Sequence, residues 1–284
     1  LEGIPVGALR DSTVAIAVGA GLAVHRGLDF AWQMPLLLLA GIAFLLVGGR
    51  ILLPARKRAR AGASVNTRLR RNGAEPTAGS VSPQRLGTSL VAAGGVCFLP
   101  LFLVAGTPLI VIAVASGAVT VFVLSGLMPF AIRSHAEALA RLGLTTGIVG
   151  TVVLARGGSL TVDVVIAGLQ LGILAALLGA VDNLRDLAQD RKTGRKTLAV
   201  CFGVPVGRFQ VGLVCLVPLV MGAAWVIGNA WGAALLPLAV LPLAAWVIRD
   251  VNLLLPGPLL DGVRPKAAAM QLAFGGLLAV GLAL

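Results

Sequence analysis

Nine predominantly apolar runs constrain this chain more than any other feature: roughly 10–26, 34–53, 87–105, 107–125, 138–155, 162–181, 206–227, 230–248 and 267–284. Most approach the ~20 residues with which a helix crosses a bilayer core. Charged residues are 12% of the sequence, about half the share usual in a soluble domain. The mean hydropathy of +0.98 agrees. The expected architecture is a polytopic integral membrane protein, a single membrane domain over 1–284.

The basic residues give the orientation. The segments after the second, fourth, sixth and eighth runs can be grouped with the N-terminal segment. With the adjoining run ends at Arg50, Arg141 and Arg208 included, that group holds every Lys and Arg except Arg26 and Arg156. Such asymmetry places the basic side in the cytoplasm. It also puts two long segments together there, a basic loop at 54–86 and an aspartate-rich loop at 182–205. The net charge of +12 is therefore chiefly a topology signal. No nucleic-acid partner is expected, because no soluble domain remains to hold one. The three cysteines, Cys97, Cys201 and Cys215, form no CxxC or Cys/His cluster, so neither a disulfide framework nor zinc is expected. Scattered glycines read as close helix packing.

The chemistry-bearing stretch is VDNLRDLAQDRKTGRKTLAV, residues 181–200. Asp182, Asp186 and Asp190 recur every fourth residue, which on a helix stacks them near one face. Like charges so placed repel unless a cation sits between them. Mg²⁺ would serve, since it takes carboxylate and phosphate oxygens together. Arg185, Arg191, Lys192, Arg195 and Lys196 interleave or follow. Acids for a metal beside bases for phosphate suggest a Mg²⁺-diphosphate site at a membrane surface.

This stretch resembles the second aspartate-rich motif of the UbiA superfamily of membrane prenyltransferases. It is most similar to the 1,4-dihydroxy-2-naphthoate polyprenyltransferase branch, which serves menaquinone biosynthesis. That branch reads N-N-x-R-D-x-x-x-D-x-x-x-G-(K/R)-x-T-L. Here Asn183, Arg185, Asp186, Asp190, Gly194, Arg195, Thr197 and Leu198 stand in register, with Asp182 where the branch has Asn. Weaker similarities lie at Arg10-Asp11-Ser12-Thr13, from Pro76 to Pro83, and at Arg133 and Glu137.

The resemblance implies an all-α bundle of nine transmembrane helices around a central cavity, in a bacterial cytoplasmic membrane. It implies transfer of a polyprenyl group from its diphosphate to an aromatic acceptor such as dihydroxynaphthoate. Asp186 and Asp190 would be catalytic, holding Mg²⁺ with Asp182. Asn183, Arg185, Lys192, Arg195 and Lys196 would bind diphosphate. His135 and Glu137 are candidate contacts for the acceptor.

One departure is large. The superfamily's first aspartate motif belongs after the second helix. Here no Asp occurs between Asp29 and Asp163, and Glu75 is the sole acid of the 54–86 loop. Arg50, Arg56, Lys57, Arg58, Arg60, Arg68, Arg70 and Arg71 stand in that region instead. Either guanidinium groups replace the missing ion and bind diphosphate directly, or the loop is a polybasic segment facing anionic lipid. Two functions stay open with it. One is a Mg²⁺-dependent prenyltransferase. The other is a catalytically inactive relative that binds lipid or quinone, or serves as a structural subunit of a membrane complex.

Overall fold

The computed structural model describes residues 6–28, 36–48, 86–97 and 133–284, with positions 33, 51, 99 and 100; at 6 and 133–137 only the backbone is described. Among the described residues every regular element is a helix. Five helical stretches are long and apolar enough to cross a membrane: Gly7–His25, Val162–Arg185, Val204–Ile227, Trp231–Leu253 and Pro258–Ala283. Shorter apolar helices cover Leu36–Gly48, Leu86–Cys97 and Ala138–Leu154. The chain is an all-α integral membrane protein. The expected span at 107–125 and the basic loop at 54–86 lie outside the described residues.

We label the helices in chain order: α1 Val6–His25, α2 Leu36–Gly48, α3 Leu86–Cys97, α4 Arg133–Leu154, α5 Val162–Ala175, α6 Leu177–Arg185, α7 Leu187–Thr193, α8 Leu198–Phe202, α9 Val204–Val220, α10 Ala223–Ile227, α11 Trp231–Leu235, α12 Leu241–Leu253 and α13 Arg264–Ala283. Helix ends overrun the apolar runs at 181 and 248. Hydropathy marks where lipid ends, whereas i→i−4 hydrogen bonding marks where a helix ends. α6 keeps that bonding through Arg185, and α12 through Leu253.

Small residues let these helices approach closely, which drives association where lipid removes the usual hydrophobic gain. α1 and α13 lie parallel: Asp11 meets Gln271, Val14 meets Gly275, and Gly21 meets Ala279. α4 packs on α5 where Gly168 faces Thr146, and a Cβ on Gly168 would lie 2.4 Å from the Thr146 Cα. Beside it, the Thr145 hydroxyl donates to the carbonyl of the same Gly168 at 3.0 Å. Leu22, Leu171, Leu174, Phe274 and Leu278 fill the fully buried centre.

Among the described residues, three breaks within the spans have a chemical cause or partner. Pro218 sits inside α9 and precedes the break at Met221–Gly222. Freed backbone groups in an apolar interior need a partner. Fully buried Gln170 of α5 supplies one, donating from Nε2 to the Pro218 carbonyl at 2.8 Å. Its Oε1 accepts the Trp225 indole N–H at 2.9 Å. Pro237 and Pro242 open a 3₁₀ turn at Leu236–Val240 and then α12. The third break, at Ala176, positions the site described next.

Candidate functional site: the arginine–aspartate cluster at the end of the sixth expected span

α5 stops at Ala175 and α6 resumes at Leu177, so one span reaches the basic side in two pieces. Arg141 of α4 donates from Nη1 to the Ala175 carbonyl at 2.6 Å. A cation at a helix C-terminus compensates the exposed carbonyl dipoles there. α6 then carries Asp182, Asn183 and Arg185 out of the bundle.

The segment expected as a loop at 182–205 is helical for most of its length. Asp186 is the joint between α6 and α7, at φ −90° and ψ 11°. Its N–H bonds the Asp182 carbonyl at 2.8 Å, and the Asp190 N–H bonds the Asp186 carbonyl at 2.8 Å. The i, i+4 spacing of the three aspartates thus survives the joint as backbone hydrogen bonding. Gly194 ends α7 with a left-handed φ of 73°, which a side chain would strain. Thr197, fully buried, caps α8 by accepting the Val200 N–H at 3.2 Å. Part of the motif is therefore helix punctuation.

Arg185 is the centre of the side-chain arrangement. Its Nε and Nη2 donate to Asp186 Oδ1 and Oδ2, both at 2.7 Å. Its Nη1 reaches Asp261 Oδ1 at 3.2 Å and Asp182 Oδ1 at 3.1 Å. Arg264, at the start of α13, places Nε 3.0 Å from the same Asp182 oxygen. Both nitrogens are close enough to Asp182 for charge pairing, though neither N–H aligns with it as a hydrogen bond. Asp190 is held separately: it is only 4% exposed, with Arg195 Nη1 at 3.7 Å from Oδ1 and no hydrogen bond to Oδ2.

The two acids beyond the span have opposite electrostatics. The bidentate Arg185 bond holds the Asp186 carboxyl below its ordinary range, against a smaller burial cost. Burial pushes the Asp190 carboxyl up, and Arg195 opposes this only partly.

The expected site residues fall into three groups. Asp182, Arg185 and Asp186 come together. Asp190 and Arg195 form a second pair on the same two-helix segment. Asn183 is half-buried on α6, and Lys192 and Lys196 are exposed around the end of α7. His135 lies in the first turn of α4 and Glu137 just beyond it, with side chains outside the described residues. The sequence reading missed Asp261 and Arg264, contributed by the segment before the last span, and the capping role of Arg141. Only the fold brings Asp261 to Arg185; the faint signal was an acid and a base three residues apart on the basic side.

Mg²⁺ fits this arrangement poorly. Both Asp186 oxygens are engaged by Arg185, and Asp182 has two guanidinium neighbours. Among the described residues no group of three or more acids, histidines or cysteines is gathered to hold a metal ion. The cation that relieves the expected aspartate repulsion is arginine.

No family model matches the chain, and no curated protein matches it by sequence. Solved structures match its fold. An apo structure of a UbiA homologue from Aeropyrum pernix is similar at a TM-score of 0.63 and 16% identity, covering 96% of each chain. A structure of digeranylgeranylglyceryl phosphate synthase is similar at a TM-score of 0.57 and 14% identity, covering 98% of this chain and 97% of that one. The chain has the fold of these membrane proteins over almost its entire length.

Proposed function

We propose that this chain is a membrane prenyltransferase of the UbiA type, in the dihydroxynaphthoate-like branch of quinone biosynthesis. It would move a polyprenyl group from its diphosphate to an aromatic acceptor. The observation that carries the reading is the segment 182–198, which keeps the family register and packs as one unit at the end of a span, inside a UbiA-like fold. The basic side would face the cytoplasm.

The allylic C–O bond would break with its electron pair leaving on the diphosphate. A ring carbon would attack the allylic cation, and the ring would regain aromaticity by losing the group it carried there. Negative charge grows on the diphosphate, so fixed positive groups aimed at it lower the barrier most. Arg185, Arg195, Lys192 and Lys196 are the candidates, with Asn183 as a polar supporter and His135 and Glu137 near the acceptor. The apolar interior would keep water from the cation. The resemblance implies Mg²⁺ at Asp182, Asp186 and Asp190. With those carboxylates paired to arginine, the reading includes no step through the ion.

The same pairing favours a second reading, a non-catalytic relative that binds a phosphorylated lipid or quinone within a membrane complex. Incubating the purified protein in lipid with labelled prenyl diphosphates and dihydroxynaphthoate or other phenolic acids separates the two. A prenylated aromatic product establishes the enzyme. Persistent absence of product, with stable recovery alongside other membrane subunits, leaves the second reading.

A further inference from the structure

We propose that Arg185 and Arg264 take the place of a divalent ion at this site, and that Asp261 is the carboxylate an entering diphosphate displaces. This rests on reading the site as one for a prenyl diphosphate, and it concerns what holds the charged head.

Charge balance is the first ground. Every aspartate side chain among the described residues has a Lys or Arg nitrogen within 3.7 Å. At the site itself, Asp182, Asp186, Asp190 and Asp261 are met by Arg185, Arg195 and Arg264, and Arg141 lies near enough to act on the Asp182 charge. Arg191 and Lys192 then add exposed positive charge around α7. The balance favours an anion and disfavours a further cation.

Coordination chemistry is the second ground. Mg²⁺ dehydrates reluctantly and demands near-octahedral oxygen ligands. To reach Asp186 it would break two charge-assisted hydrogen bonds and leave Arg185 facing another positive charge. The remainder of the sequence holds no carboxylate set to compensate, with no Asp from 30 to 162 and only Glu75 and Glu137 as acids there.

Exchange geometry is the third. A guanidinium accepts phosphate oxygens as it accepts carboxylate oxygens, often in pairs. Of the carboxylates on Arg185, Asp261 is the most exposed, and among the described residues it alone meets a single guanidinium nitrogen. Its side chain is 60% exposed, and its single contact to Arg185 is 3.2 Å, against two of 2.7 Å for Asp186. A diphosphate arriving from the basic side can replace Asp261 at Nη1 while Asp186 keeps Arg185 oriented. Arg264, half-exposed and, among the described residues, paired with Asp182, can turn to the second phosphate.

The test uses the intact protein in lipid nanodiscs and geranylgeranyl thiodiphosphate, whose C–S bond resists ionisation. Binding is measured by calorimetry in excess EDTA and in excess magnesium chloride. The expected result is equal affinity in the two buffers. Asp261→Asn should bind several-fold tighter, because it removes the anion that competes for Arg185. Arg264→Gln should bind several-fold more weakly. A melting curve checks that each variant is folded, and the EDTA comparison on the unaltered chain needs no variant at all. Affinity that appears only with Mg²⁺, or weaker binding by folded Asp261→Asn, overturns the inference and leaves the prenyl diphosphate site standing. No binding in either buffer overturns both the inference and the reading of the site.

Discussion

Arg185 holds its own chain neighbour, Asp186, by two parallel hydrogen bonds of 2.7 Å, Nε to Oδ1 and Nη2 to Oδ2. In the linear motif these two residues look like a phosphate ligand beside a metal ligand. In the folded chain they form one internal ion pair, and that pair recruits Asp182 and Asp261 from either side. The helix joint at Asp186 makes this possible. There the backbone leaves helical dihedrals, at φ −90° and ψ 11°, while the Asp186 carboxylate meets the preceding guanidinium.

Asp186 and Asp190 should respond oppositely to pH. Asp186 has a folded value below the unfolded ~4, so its stabilisation is complete above about pH 4 and is lost as pH falls through the folded value. Asp186→Asn should therefore melt lower than the parent at pH 7, with the gap narrowing in acid. Asp190 has a folded value above ~4, so its ionised form costs stability at neutral pH, and the cost fades as pH falls through that value toward 4. Asp190→Asn should melt higher than the parent at pH 7 and lose that advantage in acid. Melting curves across this range check both signs, and two variants moving in the same direction would contradict the assignment.

Gln170 bridges α9 and α10 through its side-chain amide. Gln170→Leu leaves the Pro218 carbonyl and the Trp225 indole N–H buried and unbonded. Each such group costs about 1–3 kcal/mol in soluble proteins. In membrane interiors the measured range reaches lower, averaging about 0.6 kcal/mol. The expected outcome is a clearly reduced unfolding temperature in detergent, together with a blue-shifted or quenched Trp225 emission. An unchanged melt would show that the α9–α10 break is satisfied another way.

How much was legible in the sequence depended on which physical signal each feature left. Spans were legible because burial in lipid demands long apolar runs, and the run at 162–181 maps onto α5 and α6 closely. Helix ends were less so, since charged residues such as Arg249 and Asp250 continue α12 beyond the apolar run. The break at Ala176 left little trace, because Ala is a good helix former and its partner, Arg141, comes from another helix; the break at Met221–Gly222 left Pro218 and Gly222, but not Gln170, to be read. In the site, the residues of 182–198 could be named from their spacing. Their partners could not, as Asp261 and Arg264 reach Arg185 and Asp182 only through the packing of α6 against the segment before α13. The ties of Asp163 to Arg26 and Thr161 likewise exist only in the folded chain.

Close backbone approach between α11 and α13 gives a clean packing test. A Cβ on Gly281 would lie 2.4 Å from the Gly232 carbonyl oxygen, and rigid backbone cannot yield as a side-chain tip can. Gly276, on the same helix, has nothing within 4 Å of its Cβ position. Gly281→Ala should lower the melting temperature and the yield of folded protein, whereas Gly276→Ala should be neutral or slightly stabilising, since Ala favours helix by about 1 kcal/mol over Gly. Equal behaviour of the two variants would argue against the α11–α13 contact.

The sharpest prediction comes from removing the shared guanidinium. Arg185→Gln removes the guanidinium that Asp182, Asp186 and Asp261 share, and leaves Arg264 in contact with Asp182. Three carboxylates converging on a vacated position repel one another, so the variant should melt lower than the parent in EDTA. The same convergence makes a place for a divalent ion, and a ligand that binds only the folded state raises its melting temperature by mass action. Mg²⁺ or Ca²⁺ should therefore raise the melting temperature of Arg185→Gln, and neither should do so for the parent at matched ionic strength. Matching ionic strength matters because screening alone relieves repulsion between exposed carboxylates. If the parent is stabilised by Mg²⁺ beyond what sodium chloride achieves, its carboxylates accept the ion in spite of Arg185, and arginine is not standing in for it. If the parent is indifferent and the variant responds, one side chain separates an arginine-held anion site from a metal-held one.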